Sequence, residues 1–416
     1  MNKVFNCQVC GSSKSRPVID MGLAPLVNTL PPVDLDSPVD IVYDLALIQC
    51  EECTLVQLRF APDMQSVFPE SYPYLSGLTT PLVRNFQNQA LDVVKFLKEK
   101  FPENYFKVLD IGSNDGTLLK CYSDLGCDVY GIEPTQASDV ANANGIKTLK
   151  AYFNSQSVAH AKGEIGKVSL VTATNVFAHI PNPLQILADI SEILEEEGLF
   201  VSENHYLSDL VDQLQIDTIY HEHLRYYTVV SIEALLNRGG FDLIKVQKIE
   251  SHGGSVRIWA ARKGIMSIDA SVAEFKESEK SAGINDGSFL TTFDESVKVW
   301  RNELCALINS LNLKGANIGG IGAPSRSVIM ISYLGLNHND VFAIGEKTGS
   351  KKIGKRIPTT RIPIIDEAEL LNLKPTHLLL LSWHMGDDLI ANLRSKGFTG
   401  DFIVPLPTPR ILKAQR

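Results

Sequence analysis

Four cysteines in two close pairs, Cys7-Gln-Val-Cys10 and Cys50-Glu-Glu-Cys53, constrain the start of this chain more than any other feature. A Cys-x-x-Cys turn presents two thiolates to one tetrahedral ion, so two such pairs close a four-ligand site and leave no open position for chemistry. Gly11, directly after Cys10, suits a knuckle where the backbone turns without a Cβ clash. Residues 11–49 are longer than the usual zinc-ribbon spacing, so the segment around Pro31, Pro32 and Pro38 must bring the knuckles together. Four free or redox-active thiols would not need this symmetry. Cys121, Cys127 and Cys305 lack such partners and read as small buried apolar residues. Residues 1–70 are therefore expected to be a module held by structural zinc, too small to bury a sufficient core without it.

The segment Lys107-Val-Leu-Asp-Ile-Gly-Ser-Asn-Asp-Gly-Thr-Leu-Leu119 reads as a buried strand, a glycine turn and an amphipathic helix. Gly112 and Gly116 let the backbone approach a ligand at the carboxyl edge of a parallel sheet. A second strand ends at Glu133, 23 positions after Asp110, where a carboxylate can accept both hydroxyls of a ribose. The tight Gly-x-Gly-x-x-Gly triplet of a dinucleotide site is absent. Acidic-x-Gly-x-x-x-Gly followed by a strand ending in Glu instead resembles the cofactor motif of class I S-adenosylmethionine-dependent methyltransferases. The expected cofactor contacts are Asp110, Gly112, Ser113, Asn114, Gly116 and Glu133. The strand from Val168 adds Asn175, with His179 facing the same crevice. Strands and helices alternate onward through Gly198–Glu203, which argues for a doubly wound α/β domain over 71–260.

Tyr220-His-Glu-His223, followed by Tyr226 and Tyr227, concentrates bases and phenols. An imidazole is poised to take a proton at neutral pH, and a carboxylate beside it can orient it. His-x-His as a metal pair lacks further ligands at recognisable spacing. The alternative is an exposed polar turn with an aromatic inner face. In Ser251-His-Gly-Gly-Ser-Val-Arg257, the glycines, Ser255 and Arg257 suit a phosphate cradle, or else form a plain strand entry. Tyr72 and Tyr74, taken alone, read as core packing.

In this order, the cysteine pairs, Tyr72-Pro-Tyr74, Asp110–Gly116, Asn175-Val-Phe-Ala-His179, Tyr220–His223 and His252-Gly-Gly-Ser-Val-Arg257 are similar to bacterial sugar C-methyltransferases. That family methylates carbon 3 of nucleotide-linked 4-keto-6-deoxy sugars. The resemblance spans nearly the whole chain. It implies a zinc-binding amino-terminal domain, a class I methyltransferase domain and a second Rossmann-like domain over 261–416 that holds the sugar nucleotide. It also makes Tyr74 a catalytic candidate and His252 a substrate contact. The sequence itself supports the third unit: a linker helix over Val272–Asn312, a strand and glycine turn at Gly320, Gly322 and Ala323, and later strands at Val341 and His377. Where the family shows Pro-Gly-Thr before Ile-Pro-Ile, this chain has Pro358-Thr-Thr-Arg-Ile-Pro-Ile364.

A keto group at carbon 4 acidifies the proton on carbon 3, so the implied chemistry needs a base and an oxyanion stabiliser. His223 is expected as the base, Glu222 as its orienting or polarising partner, and Tyr220 or His179 as donor to the enolate oxygen. Arg257, Arg326 and the run Lys351, Lys352, Lys355 and Arg356 are the phosphate candidates. A formal charge of −9, from 39 basic against 48 acidic residues, argues against nucleic acid, and therefore against an RNA methyltransferase. A zinc-scaffolded nucleotide sensor would need no base at its core. No apolar run approaches the ~18 residues that span a bilayer, and the start lacks a signal-like apolar core, so a cytoplasmic location is expected.

Overall fold

The computed structural model describes residues 2–3, 6–34, 40–63, 67, 75–102 and 105–414. Three strands frame the second cysteine knuckle: β1 (Ser15–Pro25) and β2 (Val42–Cys50) precede it and β3 (Val56–Leu58) follows it, joined antiparallel in that order. Their fourth neighbour comes from far along the chain, because Arg225–Tyr226 pairs antiparallel with β3. The Tyr220–Tyr227 cluster is thus spliced onto the zinc module, although in sequence it falls inside the central domain.

Helix α1 (Thr80–Lys100) opens the central unit, and α2 (Thr117–Asp124) follows its glycine turn. In α1, Pro81 suits the first turn, Leu82, Phe86, Ala90, Val93, Val94 and Leu97 form one buried stripe, and Lys98 and Lys100 complement the carboxyl-terminal dipole. The central sheet is built from β4 (Lys107–Ile111), β5 (Asp128–Ile132), β6 (Thr148–Leu149), β7 (Val168–Thr174), β8 (Leu194–His205), β9 (Phe241–Ile249) and β10 (Ser255–Arg262). Its order is β9-β10-β8-β7-β4-β5-β6, parallel from β8 to β6 and antiparallel at β9 and β10. Strands β4 and β7 are nearly continuous buried runs, as a sheet covered on both faces requires. The carboxyl ends of β4, β5, β7 and β8 place Gly112, Glu133, Asn175 and His205 along one edge.

The expected linker helix is two helices, α3 (Ala270–Ser281) and α4 (Ser288–Leu313), broken at the glycine-bearing turn 282–287. The third unit has strands β11 (Ile318–Ile321), β12 (Ile344–Glu346), β13 (Ile364–Asp366), β14 (His377–Leu380), β15 (Asp401–Val404) and β16 (Arg410–Leu412), ordered β13-β12-β11-β14-β15-β16 with only β16 antiparallel. Helix α5 (Ser325–Leu334) follows its glycine turn. One continuous core joins Leu45, Leu47 and Val56 of the zinc module to Trp300, Ile344 and Ile403, while Cys7, Val9 and Leu55 pack with the central sheet. The zinc module is therefore wedged between the two α/β units. Among the described residues, no helix is long and apolar enough to cross a membrane.

Candidate active site

The Sγ atoms of Cys7, Cys10, Cys50 and Cys53 all lie within 4.8 Å of one another, with Cys7–Cys53 and Cys10–Cys50 each at 3.5 Å. Four thiolates about 2.3 Å from one zinc ion require separations of this size. Backbone N–H groups of Val9 and Cys10 point at Cys7 Sγ, and that of Glu52 at Cys50 Sγ, each at 3.4 Å. All four cysteines are free of disulfides. The site fits a closed structural zinc centre.

A cleft of about 1230 Å³ runs between the carboxyl edge of the central sheet and the glycine turn of the carboxyl-terminal unit. Asp110, Gly112, Ser113, Asn114, Glu133 and Asn175 line it. Gly112 has φ 66°, and a Cβ there would stand 2.7 Å from Val176 Cγ2, so the turn can close only around glycine. Gly116 does not line the cleft: it caps the following helix at φ 77° and packs against Ile146 and Ala141. Glu133 Oε2 accepts the Asn114 N–H at 3.1 Å and Oε1 the Thr135 N–H at 2.8 Å, which fixes the carboxylate in the crevice. Asp110 Oδ1 accepts the Thr172 hydroxyl at 2.6 Å. Burial pushes Asp110 up to about 7 against that hydrogen bond, and the charge of Glu133 adds to the rise. Asn114 and Asp115 also turn back to hold Ser76 and Gly77 ahead of α1. Ser113 Oγ and Asn175 Oδ1 are buried with no hydrogen-bond partner among the described residues. Such orphaned polar atoms at a sheet edge fit a polar ligand.

Across the cleft, His223 sits in an aromatic nest, its ring centroid 4.1 Å from Tyr220, 4.9 Å from His179 and 5.1 Å from His205. Its Nδ1 is 2.8 Å from the Thr218 carbonyl. A carbonyl only accepts, so Nδ1 carries the proton and Nε2 is the basic atom. The same logic applies to His179, whose Nδ1 donates to the Glu222 carbonyl at 2.6 Å. Burial lowers His179 to about 4, so it stays neutral near pH 7. His221 faces the other way: Nε2 donates to the Asp44 carbonyl at 3.2 Å and the ring meets Tyr43 edge-on. The two histidines of His-x-His therefore share no metal. Tyr226 and Tyr227 are fully buried. Arg225, also fully buried, donates to Tyr227 Oη, to Gln8 Oε1 in the first cysteine knuckle, and to the carbonyls of Phe177 and Ile180 that flank His179.

Several expectations change. Ser255 is buried in β10, donates to the Ser251 carbonyl at 3.2 Å and does not line the cleft. Arg257 does reach the cleft, but its Nη2 is committed to Glu203 at 3.0 Å and Asn85 at 2.9 Å, so its charge is already balanced. Arg326 lines the cleft, with its Nη1 3.9 Å from Asp217, whose other oxygen accepts the Trp383 indole N–H at 2.7 Å. Arg356 forms a two-point ion pair with Asp40. Of the basic run, Lys352 alone lines the cleft, donating to the Ala323 carbonyl at 2.5 Å. Tyr72 and Tyr74 lie outside the described residues, as does the His252 side chain. Sequence reasoning missed His205, Asn28, Glu203 as the partner of Arg257, and Glu346. For His205 the signal was a strand that runs two residues past Glu203 to the sheet edge; for Glu346 it was a strand ending in an acid, as β5 does at Glu133.

Residues 7–68 match the family described as "Putative zinc binding domain", 82–246 "Methyltransferase domain" and 250–407 "C-methyltransferase C-terminal domain". The C-methyltransferase NovU of Streptomyces niveus is 29% identical over 99% of this chain and 98% of that protein. A ubiquinone biosynthesis O-methyltransferase of Actinobacillus pleuropneumoniae serotype 5b (strain L20) is 28% identical over 22% of this chain and 43% of its own length. The magnesium protoporphyrin IX methyltransferase of Synechocystis PCC 6803 with bound SAM superposes with a TM-score of 0.32 at 15% identity, covering 42% of this chain and 79% of that one. The three ordered family matches and the full-length relative mark the chain as a methyltransferase enzyme with a zinc-binding module. S-adenosylmethionine as methyl donor and zinc as structural ion agree with them.

Proposed function

We propose that this enzyme transfers a methyl group from S-adenosylmethionine to carbon 3 of a nucleotide-linked 4-keto-6-deoxy sugar. The observation that carries the reading is the His223 tautomer: Nδ1–H is spent on Thr218, which leaves Nε2 as a base in the same cleft as the glycine-turn edge. The full-length likeness to a C-methyltransferase supports carbon as the acceptor. Asp110, Gly112, Ser113, Asn114, Glu133 and Asn175 would hold the cofactor, which supplies an electrophilic sulfonium methyl when bound. His223 takes the carbon-3 proton, and Tyr220 donates to the enolate oxygen while His179, through its link to the Glu222 carbonyl, fixes the segment that carries both. Glu222 polarises this cluster, and Tyr74 serves the other face of the sugar. The nucleotide lies along the carboxyl-terminal turn, within 261–416, where Lys352 offers positive charge and Glu346 a carboxylate whose Oε2 already accepts the Ala323 N–H at 2.8 Å. That arrangement repeats Glu133 and Asn114 in the central sheet.

The test is mass spectrometry of products from S-adenosylmethionine and a panel of nucleotide 4-keto-6-deoxy sugars in deuterated buffer. A gain of one methylene in one panel member, with deuterium entering carbon 3 of unreacted substrate, is the expected result. His223→Asn should abolish both while cofactor binding persists; wild-type turnover in that variant removes His223 from the mechanism.

A further inference from the structure

Glu222 is held at both ends by residues from other parts of the chain. Its backbone carbonyl accepts His179 Nδ1–H, and its carboxylate Oε1 accepts the side-chain N–H of Asn28, from the zinc module. The other end of the same amide, Asn28 Oδ1, accepts the hydroxyl of Ser325 at 3.2 Å. Only one amide orientation serves both partners, because a carboxylate cannot donate and Oδ1 cannot either. Ser325 is the first residue of α5, directly after the Gly322-Ala323-Pro324 turn. Asn28 lines the cleft, and its backbone is anchored by buried Leu26 and Val27 on the zinc-module side. The ammonium of Lys352, which donates to Ala323 of that same turn, lies within the electrostatic reach of both Glu346 and Glu222.

We infer that Asn28 is a positioning residue that couples the carboxyl-terminal turn to the Glu222 carboxylate, so that the three modules meet at one amide. The inference deepens the proposed reaction and rests on it for the meaning of Glu222, but the contact itself is testable without any sugar. An amide N–H on a carboxylate favours the ionised form, so its loss raises the carboxyl pKa.

The experiment uses the full zinc-loaded chain and three variants, Asn28→Ala, Asn28→Asp and Ser325→Ala. Infrared titration, with Glu222→Gln to identify the Glu222 band, should show the midpoint rising by roughly one pH unit in N28A. In turnover with the accepted sugar nucleotide, N28A should lower kcat at least tenfold with cofactor affinity and zinc content kept. N28D is nearly isosteric and should shift the rate profile toward acid, because the substituted carboxyl can donate to Glu222 only while it is protonated. S325A should lower kcat in the same sense but less. A Glu222 midpoint unmoved in N28A, or an N28D profile matching wild type, overturns the inference. If N28A loses its zinc or its melting transition, the N28D rate profile and the S325A turnover decide. Wild-type inactivity on every panel sugar would instead count against the proposed substrate, and the infrared midpoint would still decide the role of Asn28.

Discussion

Replacing Arg257 separates two accounts of the His-Gly-Gly-Ser-Val-Arg segment. Arg257 and Glu203 are directly opposite each other on β10 and β8, both side chains 1% exposed or less, with Nη2 to Oε2 at 3.0 Å. Asn85 of α1 completes a closed triangle, donating to Glu203 Oε1 at 2.8 Å and accepting from Arg257 at 2.9 Å. Arg257→Ala leaves a buried carboxylate without its counter-charge, a defect that costs about 3–5 kcal/mol. For a unit of this size, that corresponds to a fall of about 10 °C in melting temperature. The deficit should also depend on pH. Burial already raises Glu203 above the ordinary carboxyl range, and losing the guanidinium raises it further. A carboxyl that binds its proton more tightly folded than unfolded gains stability as pH falls, so the variant should approach wild type toward acid pH. The double variant Glu203→Met with Arg257→Met removes both charges and should recover most of the loss. The assay is scanning calorimetry from pH 5 to 9 beside KM for the proposed sugar-nucleotide substrate. An Arg257→Ala protein that melts like wild type but needs ten times more sugar nucleotide would refute the pairing argument and restore a phosphate contact.

Three other outcomes follow from the same structure. Zinc removal by a chelator should collapse the module and lower the melting temperature sharply, since structural zinc contributes about 10 kcal/mol of binding free energy; an apo-protein that melts unchanged would contradict this. His179 and His221 are both lowered to about 4, chiefly by burial. The unfolded chain takes up these protons near pH 6.5, so stability should be complete above that pH and fall by about 3 kcal/mol per histidine as pH drops toward 4, with His221→Phe showing the shallower slope in urea melts. Thr359 stands at φ 63°, a left-handed conformation unfavourable for a β-branched residue, while its N–H serves Asp40 at 2.6 Å. Thr359→Gly keeps that hydrogen bond and should raise stability by about 1 kcal/mol in chemical denaturation.

Local chemistry made the cysteine centre and the glycine turn legible in the sequence. Cys-x-x-Cys spacing and a strand-turn-helix pattern are set by residues within a few positions of each other, so Cys7, Cys10, Gly112 and Glu133 could be placed before any packing was known. The partners of Arg257 and Ser255 are not legible in the sequence, for the opposite reason. Whether an arginine meets a phosphate or a glutamate depends on what the neighbouring strand brings opposite it, and Glu203 lies 54 positions away. The break between α3 and α4 was visible in Gly283 and Gly287 but lost among apolar spacing that fits one long helix. Asn28 could not be read at all, since a lone asparagine after a proline-bearing strand becomes informative only when Glu222 and Ser325 converge on it.

The splice of Arg225–Tyr226 onto the zinc module explains why a metal with no open coordination position belongs beside the Tyr220–His223 cluster. The histidine segment leaves the central sheet and returns to it, so its course is not fixed by that sheet. Pairing with β3 on one side, and Arg225 bridging Gln8 to the carbonyls around His179 on the other, give it a second frame. That frame keeps its shape only while the cysteine knuckles do. A base that must meet its substrate within a few tenths of an ångström needs such support, because small misplacements cost large factors in rate. On the proposed mechanism the zinc centre would act on the reaction through the backbone that presents His223, and the same module, through Asn28, reaches the carboxylate beside it.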